Sequence, residues 1–189
     1  MTALFTLTAA SVQALLPNVV ADELRLDARG FGGLYAVFGA GALLGTVSRE
    51  RVSARAGPLL LPGSMATFAA ASIIVGSSVS PVVTGAALAV AGLCWVWTMT
   101  TLNSTIQLLA PRGIRGRIVA IYVLALAMKP VGAFLSGLLA EFVGAGTAIV
   151  TASSLALLLA MIATRVALPV LGRDTGPLDD DEDRRAQNP

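Results

Sequence analysis

The chain has 189 residues, of which 56% are hydrophobic and 13% charged, with a mean hydropathy of +0.80. Soluble domains carry about 25% charged residues, so this composition describes an integral membrane protein and excludes an ordinary soluble globular domain. The formal charge of +2 sums arginine-rich loops and an acidic tail, and no aromatic-interleaved basic patch points to nucleic acid.

The first apolar run, Ala3 to Val20, contains Gln13 and Pro17 and lacks the basic lead of a secretory signal, so it reads as a span. A loop from Ala21 to Arg29 with Asp22, Glu23, Arg25, Asp27 and Arg29 is expected in water. The second span, about 30–47, is dense in small residues. Ala36 and Ala40, then Gly41 and Gly45, repeat at a spacing of four, which lets a neighbouring backbone approach closely in lipid. This helix is therefore expected inside the bundle. Ser48 to Gly57 reads as a basic loop with Arg49, Arg51 and Arg55 around Glu50.

No charged residue lies between Arg55 and Arg112. At about 1.5 Å per residue across about 30 Å of hydrocarbon, that tract holds two spans and a turn. They are placed at about 58–79, with Pro58 in the first turn, and about 82–109, separated by the polar turn at Ser77, Ser78, Ser80 and Pro81. Thr100, Asn103 and Gln107 share one stripe of the fourth helix. Trp95 and Trp97 lie well inside it, which favours packing over an interfacial belt. Cys94, the single cysteine, reads as a small buried residue and excludes an intramolecular disulfide; without histidine, no familiar zinc site can be built.

A turn with Arg112, Arg115 and Arg117 leads to the fifth span, about 118–140, which holds Lys129 and Pro130 and ends at Glu141. Gly144 and Gly146 are expected to make the last turn, and the sixth span runs over about 147–171, with Arg165 near its end. Residues 1–171 thus form one all-α bundle of six membrane helices, and 172–189 reads as a disordered acidic tail. Arginines concentrate after the second and fourth spans and at the C-terminal end. The positive-inside rule puts those loops and both termini in the cytoplasm, as expected in a bacterial inner membrane.

Lys129 is the one ionisable residue near the middle of a span, roughly 16 Å deep at a helical rise of about 1.5 Å. Helical spacing puts Tyr122, Ala125, Lys129, Gly132, Ala133 and Ser136 on one face, and Leu124, Val131, Phe134, Leu135 and Leu138 on the other. Lys129 is expected to point inward, beside a kink at Pro130. Two readings stay open: a site for an anionic substrate group or a carboxylate, or a structural ion pair with a missing bundle or drift in a gene remnant. Thr100, Asn103, Gln107 and, on the first span, Gln13 are candidates for lining the same cavity, with interhelical hydrogen bonding as the alternative. The arginines either meet lipid phosphates or act at a cytoplasmic gate.

From Gln107 to Gly137 the chain resembles the loop and eleventh helix of a major facilitator superfamily transporter, in its drug- and siderophore-exporting branches. The resemblance rests on Gln107, Pro111, Arg115, Gly116 and Arg117, then Gly132 and Gly137. Gly41, Gly45, Arg49, Arg51, Arg55 and Gly57 occupy, in altered order, the place of the superfamily's conserved basic loop. The resemblance implies two inverted three-helix repeats in this chain, which corresponds to the C-terminal half of the two-bundle fold. It further implies efflux of small amphipathic molecules, and a second half or second copy to complete the cavity. If transport is proton-coupled, the coupling acid comes from that other half, because no span here holds a carboxylate. No cofactor, metal or catalytic constellation is expected. The alternative is a truncated, non-transporting remnant or a membrane interaction subunit.

Overall fold

The computed structural model describes the backbone of residues 2–109 and 115–171, with side chains for 5–57, 59–106, 116–158 and 161. Arg112, expected in the turn before the fifth span, and the tail 172–189 lie outside these residues, as do the side chains of Gln107, Arg115 and Arg165. Regular structure among the described residues is helical throughout: α1 (Thr2–Asn18), α2 (Ala28–Ala56), α3 (Leu60–Ser77), α4 (Pro81–Leu109), α5 (Arg115–Ala127), α6 (Lys129–Val143) and α7 (Ala145–Leu171). In hydrocarbon each backbone amide must be satisfied within its own segment, which helices achieve.

The helix ends follow from local chemistry. α1 passes into a wider π-helical turn over Val19–Glu23, where the Leu24 amide donates to the Val19 carbonyl at 3.1 Å. Arg25 then reverses the chain with φ of 52°, and the Asp27 carboxylate caps α2 by accepting from the Gly30 amide at 2.9 Å. α2 does not stop at residue 47. Ser48 to Ala56 is rich in arginine and alanine, and no breaker intervenes before Gly57, so the expected basic loop is two further helical turns. Gly57 ends the helix at φ of 51°, and Pro58 sits in a short 3-10 turn before α3. Between α6 and α7 the connection is Gly144 alone, at φ of 84°; Gly146 is already inside α7.

Among the described residues, four helices are long and apolar enough to cross a membrane: Ala28–Ala56, Leu60–Ser77, Pro81–Ile106 and Gly116–Val143, the last including the break at Met128. Ala145–Leu158 is apolar but shorter over its described side chains, and α1 is 17 residues long before its π turn.

α4 packs between α2 and α3, α3 between α4 and α7, and α1 against α5, α6 and α7. α2 and α3 both pack on α4, α6 and α7 both pack on α1, and α3 meets α7. Buried clusters join α1, α3 and α4 through Phe5, Met65, Phe68, Ala91 and Cys94, and α1 to α7 through Val12, Leu15, Ala148 and Ile149.

Expected as an interior helix, α2 is instead peripheral. Gly41 and Gly45 are buried against α4, whereas Gly32, Gly33, Ala36 and Ala40 are exposed. A small-residue stripe measures how close a neighbour can come, not how many neighbours there are. On the α4 side the approach is close: a Cβ on Gly45 would lie 2.8 Å from the Leu93 carbonyl oxygen, and one on Gly41 would overlap that of Ala89. Trp97 locks the seam, its indole Nε1 donating to the Gly45 carbonyl at 2.9 Å.

Candidate functional site

Pro130 has no amide hydrogen to give the preceding turn, so the helix carrying Lys129 is interrupted. α5 ends at Ala127, Met128 is a single turn residue that keeps right-handed angles (φ of −71°), and α6 restarts at Lys129. Below the break, Gly132 and Ser136 are buried against α1, where a Cβ on Gly132 would lie 2.9 Å from Leu7 Cδ2. The Ser136 hydroxyl pairs with that of Ser11 at 2.5 Å and donates to the Gly132 carbonyl. Tyr122, Ala125 and Ala133 are half-buried, while Leu124, Val131, Phe134, Leu135 and Leu138 are exposed. The small residues of this face meet the bundle, as their spacing requires, whereas Lys129, expected to point inward with them, does not.

Lys129 itself is exposed, and its ammonium lies 5.8 Å from the centroid of the Trp95 ring on α4. Trp95 belongs to an aromatic cluster, with ring centroids 5.5 Å from Phe5 and 6.2 Å from Phe68. Phe5 and Phe68 are 4.9 Å apart. A cation over an aromatic face gains about 0.5–2 kcal/mol. Placing a lysine at the centre of a membrane helix costs about 2.5–3.5 kcal/mol. Trp95 thus offsets only part of the cost, and water or an anion must supply the rest.

The other sequence candidates do not converge on this lysine as a set. The half-buried Thr100 donates to the Val96 carbonyl of its own helix at 2.6 Å. Asn103 is exposed and is not without a partner, and Gln13 is half-buried on α1. Arg49 is half-buried on the last turns of α2, with its Nε buried and unbonded; Arg51, Arg55 and Arg117 are exposed. Of these, Arg55 lies in the last turn of α2, where it complements the helix dipole.

Two features escape the sequence reading. Trp95 and Phe5 are far from Lys129 along the chain, and a mid-span tryptophan carries no local mark of what lies above it. Glu23 is not simply a solvated loop acid: half-buried, it accepts from the Gly146 amide at 2.9 Å and so caps the start of α7. Among the described residues no group of three or more His, Cys, Asp or Glu side chains is placed to hold a metal ion.

Apolar helices of spanning length, cations at helix ends and one lysine inside a span define an integral membrane protein of the transporter type. The chain belongs to the transmembrane secretion effector family of the major facilitator superfamily, whose family model matches residues 1–185. This membership points to a role in membrane transport. No curated protein and no solved structure matches the chain.

Proposed function

We propose that the chain is the C-terminal bundle of a proton-coupled exporter of small amphipathic molecules, completed by an N-terminal half or a second copy. The observation that carries this reading is Lys129: an exposed cation within a span, only partly offset by the Trp95 ring 5.8 Å away. In an assembled transporter the second bundle covers this side, and Lys129 holds an anionic group of the substrate or a carboxylate of the partner. Tyr122, Gln13, Thr100, Asn103 and Gln107 are proposed to line the cavity around it.

The repeated helix pairings support two inverted three-helix repeats, with α1, α2, α3, the α5–α6 unit, α7 and α4 as six spans. Described carboxylates sit at Asp22, Glu23, Asp27, Glu50 and Glu141, near helix ends, so the coupling acid is assigned to the partner half. Both termini are assigned to the cytoplasm of a bacterial inner membrane, because Arg49, Arg51 and Arg55 gather at one end of α2 and Arg115 and Arg117 begin α5. Arg49, Arg51, Arg55, Arg112, Arg115 and Arg117 form the proposed cytoplasmic gate.

The test is dye export from proteoliposomes holding the chain with its partner half under an imposed proton gradient. Export is expected, and Lys129→Met is expected to abolish it while the assembly stays intact. Undiminished export by the variant removes Lys129 from the site, and export that ignores the gradient removes the coupling.

A further inference from the structure

The Trp95 ring is held in place by three helices. Its centroid lies 5.5 Å from that of Phe5 on α1 and 6.2 Å from that of Phe68 on α3, both 2% exposed, and Met99 packs against the same cluster. An indole fixed in this way has little side-chain freedom left to lose when something rests on it. What rests there is the Lys129 ammonium, 5.8 Å from the ring centroid, on a side chain that is itself exposed.

The cation and the ring ask different things of a ligand. Lys129 lacks a carboxylate from the described spans, since Asp22, Glu23, Asp27, Glu50 and Glu141 all sit near helix ends. An anionic group brought by a ligand is the counterpart it lacks, and such a charge-assisted contact strengthens where water is sparse. The face of the ring carries the negative end of its quadrupole and repels a bare anion laid against it. An acid therefore meets the ammonium on the side turned away from Trp95, and the ring is left for an uncharged part of the same molecule. Aromatic pairs place their centroids about 4.5–7 Å apart, a range that includes the distance at which the ammonium now stands. The flexible stem of Lys129 lets its ammonium move outward with the acid. A ring joined directly to that acid can then take the place on Trp95 that the ammonium leaves.

We propose that the ligand held by Lys129 is an aromatic acid and that Trp95 is the residue that selects its ring. The proposal rests on the reading of Lys129 as an anion site in the transport cavity, and it adds the class of molecule. In the empty protein Trp95 stabilises the lysine, and in the loaded one it stacks on the ligand.

The experiment measures binding to the full-length chain in neutral phosphatidylcholine nanodiscs by equilibrium dialysis, with empty nanodiscs as the blank. Both residues belong to this chain, so the contrast is carried without a second bundle. The probes are 2-naphthoate, decalin-2-carboxylate, which keeps the skeleton and charge without the π system, and 2-naphthamide, which keeps the ring without the charge. 2-Naphthoate is expected to bind about three- to tenfold more tightly than decalin-2-carboxylate, the contribution of one aromatic pair beyond its buried area, and more tightly than 2-naphthamide. Trp95→Leu is expected to abolish the difference between the two acids, Trp95→Phe to keep part of it, and Lys129→Met to lose the binding of both. The chain has two tryptophans, so 5-fluorotryptophan gives two signals that Trp97→Phe assigns, and 2-naphthoate is expected to shift that of Trp95. Circular dichroism of each variant checks that its helices form. Equal binding of the two acids, both dependent on Lys129, overturns the proposal and leaves Lys129 as a general anion site. Binding of neither acid through Lys129 overturns that site and the proposal together. Binding of 2-naphthamide as tight as that of 2-naphthoate overturns the proposal as well.

Discussion

Replacing Gly41 by alanine is expected to loosen α2 from the bundle, although the change adds one methyl group. That methyl would lie 2.7 Å from the Ala89 carbonyl carbon and 2.9 Å from its Cα, and closer still to its oxygen. All three are backbone atoms of α4 and cannot rotate away, so relief requires α2 to move as a body. α2 has little else to hold it, because α4 is its principal neighbour. Overpacking of this kind costs about 1–3 kcal/mol. Separating the helices also weakens the Trp97 bond to the Gly45 carbonyl, now 2.9 Å, a loss of about 0.5–1.5 kcal/mol. Alanine's better helix propensity returns about 0.5–1 kcal/mol, leaving a net loss near 2 kcal/mol. Gly39 is the internal control, with no atom within 4 Å of the added Cβ, so Gly39→Ala keeps only the propensity gain. Reversible unfolding in mixed micelles with increasing dodecyl sulfate, followed by circular dichroism and tryptophan fluorescence, measures both. If the two variants are equally stable, the close α2–α4 seam is refuted.

Trp97→Phe removes one hydrogen bond from the same seam, and the same titration should show a loss of about 1 kcal/mol. Glu23→Ala should free the Gly146 amide and raise hydrogen exchange over the first turn of α7, with about 1–3 kcal/mol lost. Glu23→Gln, which keeps a neutral acceptor, should lie between it and the natural chain. Lys129→Met should leave unfolding in micelles unchanged or raise stability, since it removes a costly intramembrane cation, and a clear destabilisation would favour a purely structural lysine.

Much of the helix layout is legible in the sequence, because hydropathy and length are one-dimensional. The uncharged tract before Arg112, the Ser78 to Pro81 turn and the break beside Pro130 all appear within a few residues of their expected places. Less legible is which face of each helix points inward. In lipid both the core and the surroundings are apolar, so amphipathic periodicity fades and a small-residue stripe such as that of α2 can face outward. The helical Ser48 to Ala56 segment was hidden because charge marks where the hydrocarbon ends but not where the helix does. Long-range partners were hidden for a different reason. Glu23 reaches Gly146, and Lys129 covers Trp95, only because separate helices bring them together. Around the candidate site, the bundle-facing small residues of the α5–α6 unit were readable from spacing, whereas the aromatic ring beneath the lysine was not.

We propose that this bundle transports only in company with a second one. Native mass measurement of the assembly, purified under mild conditions and assayed for dye export in the same preparation, tests this. Exporting material is expected to contain this chain bound to a second helical bundle, either a partner half or another copy. A strictly monomeric chain that exports the dye would contradict it.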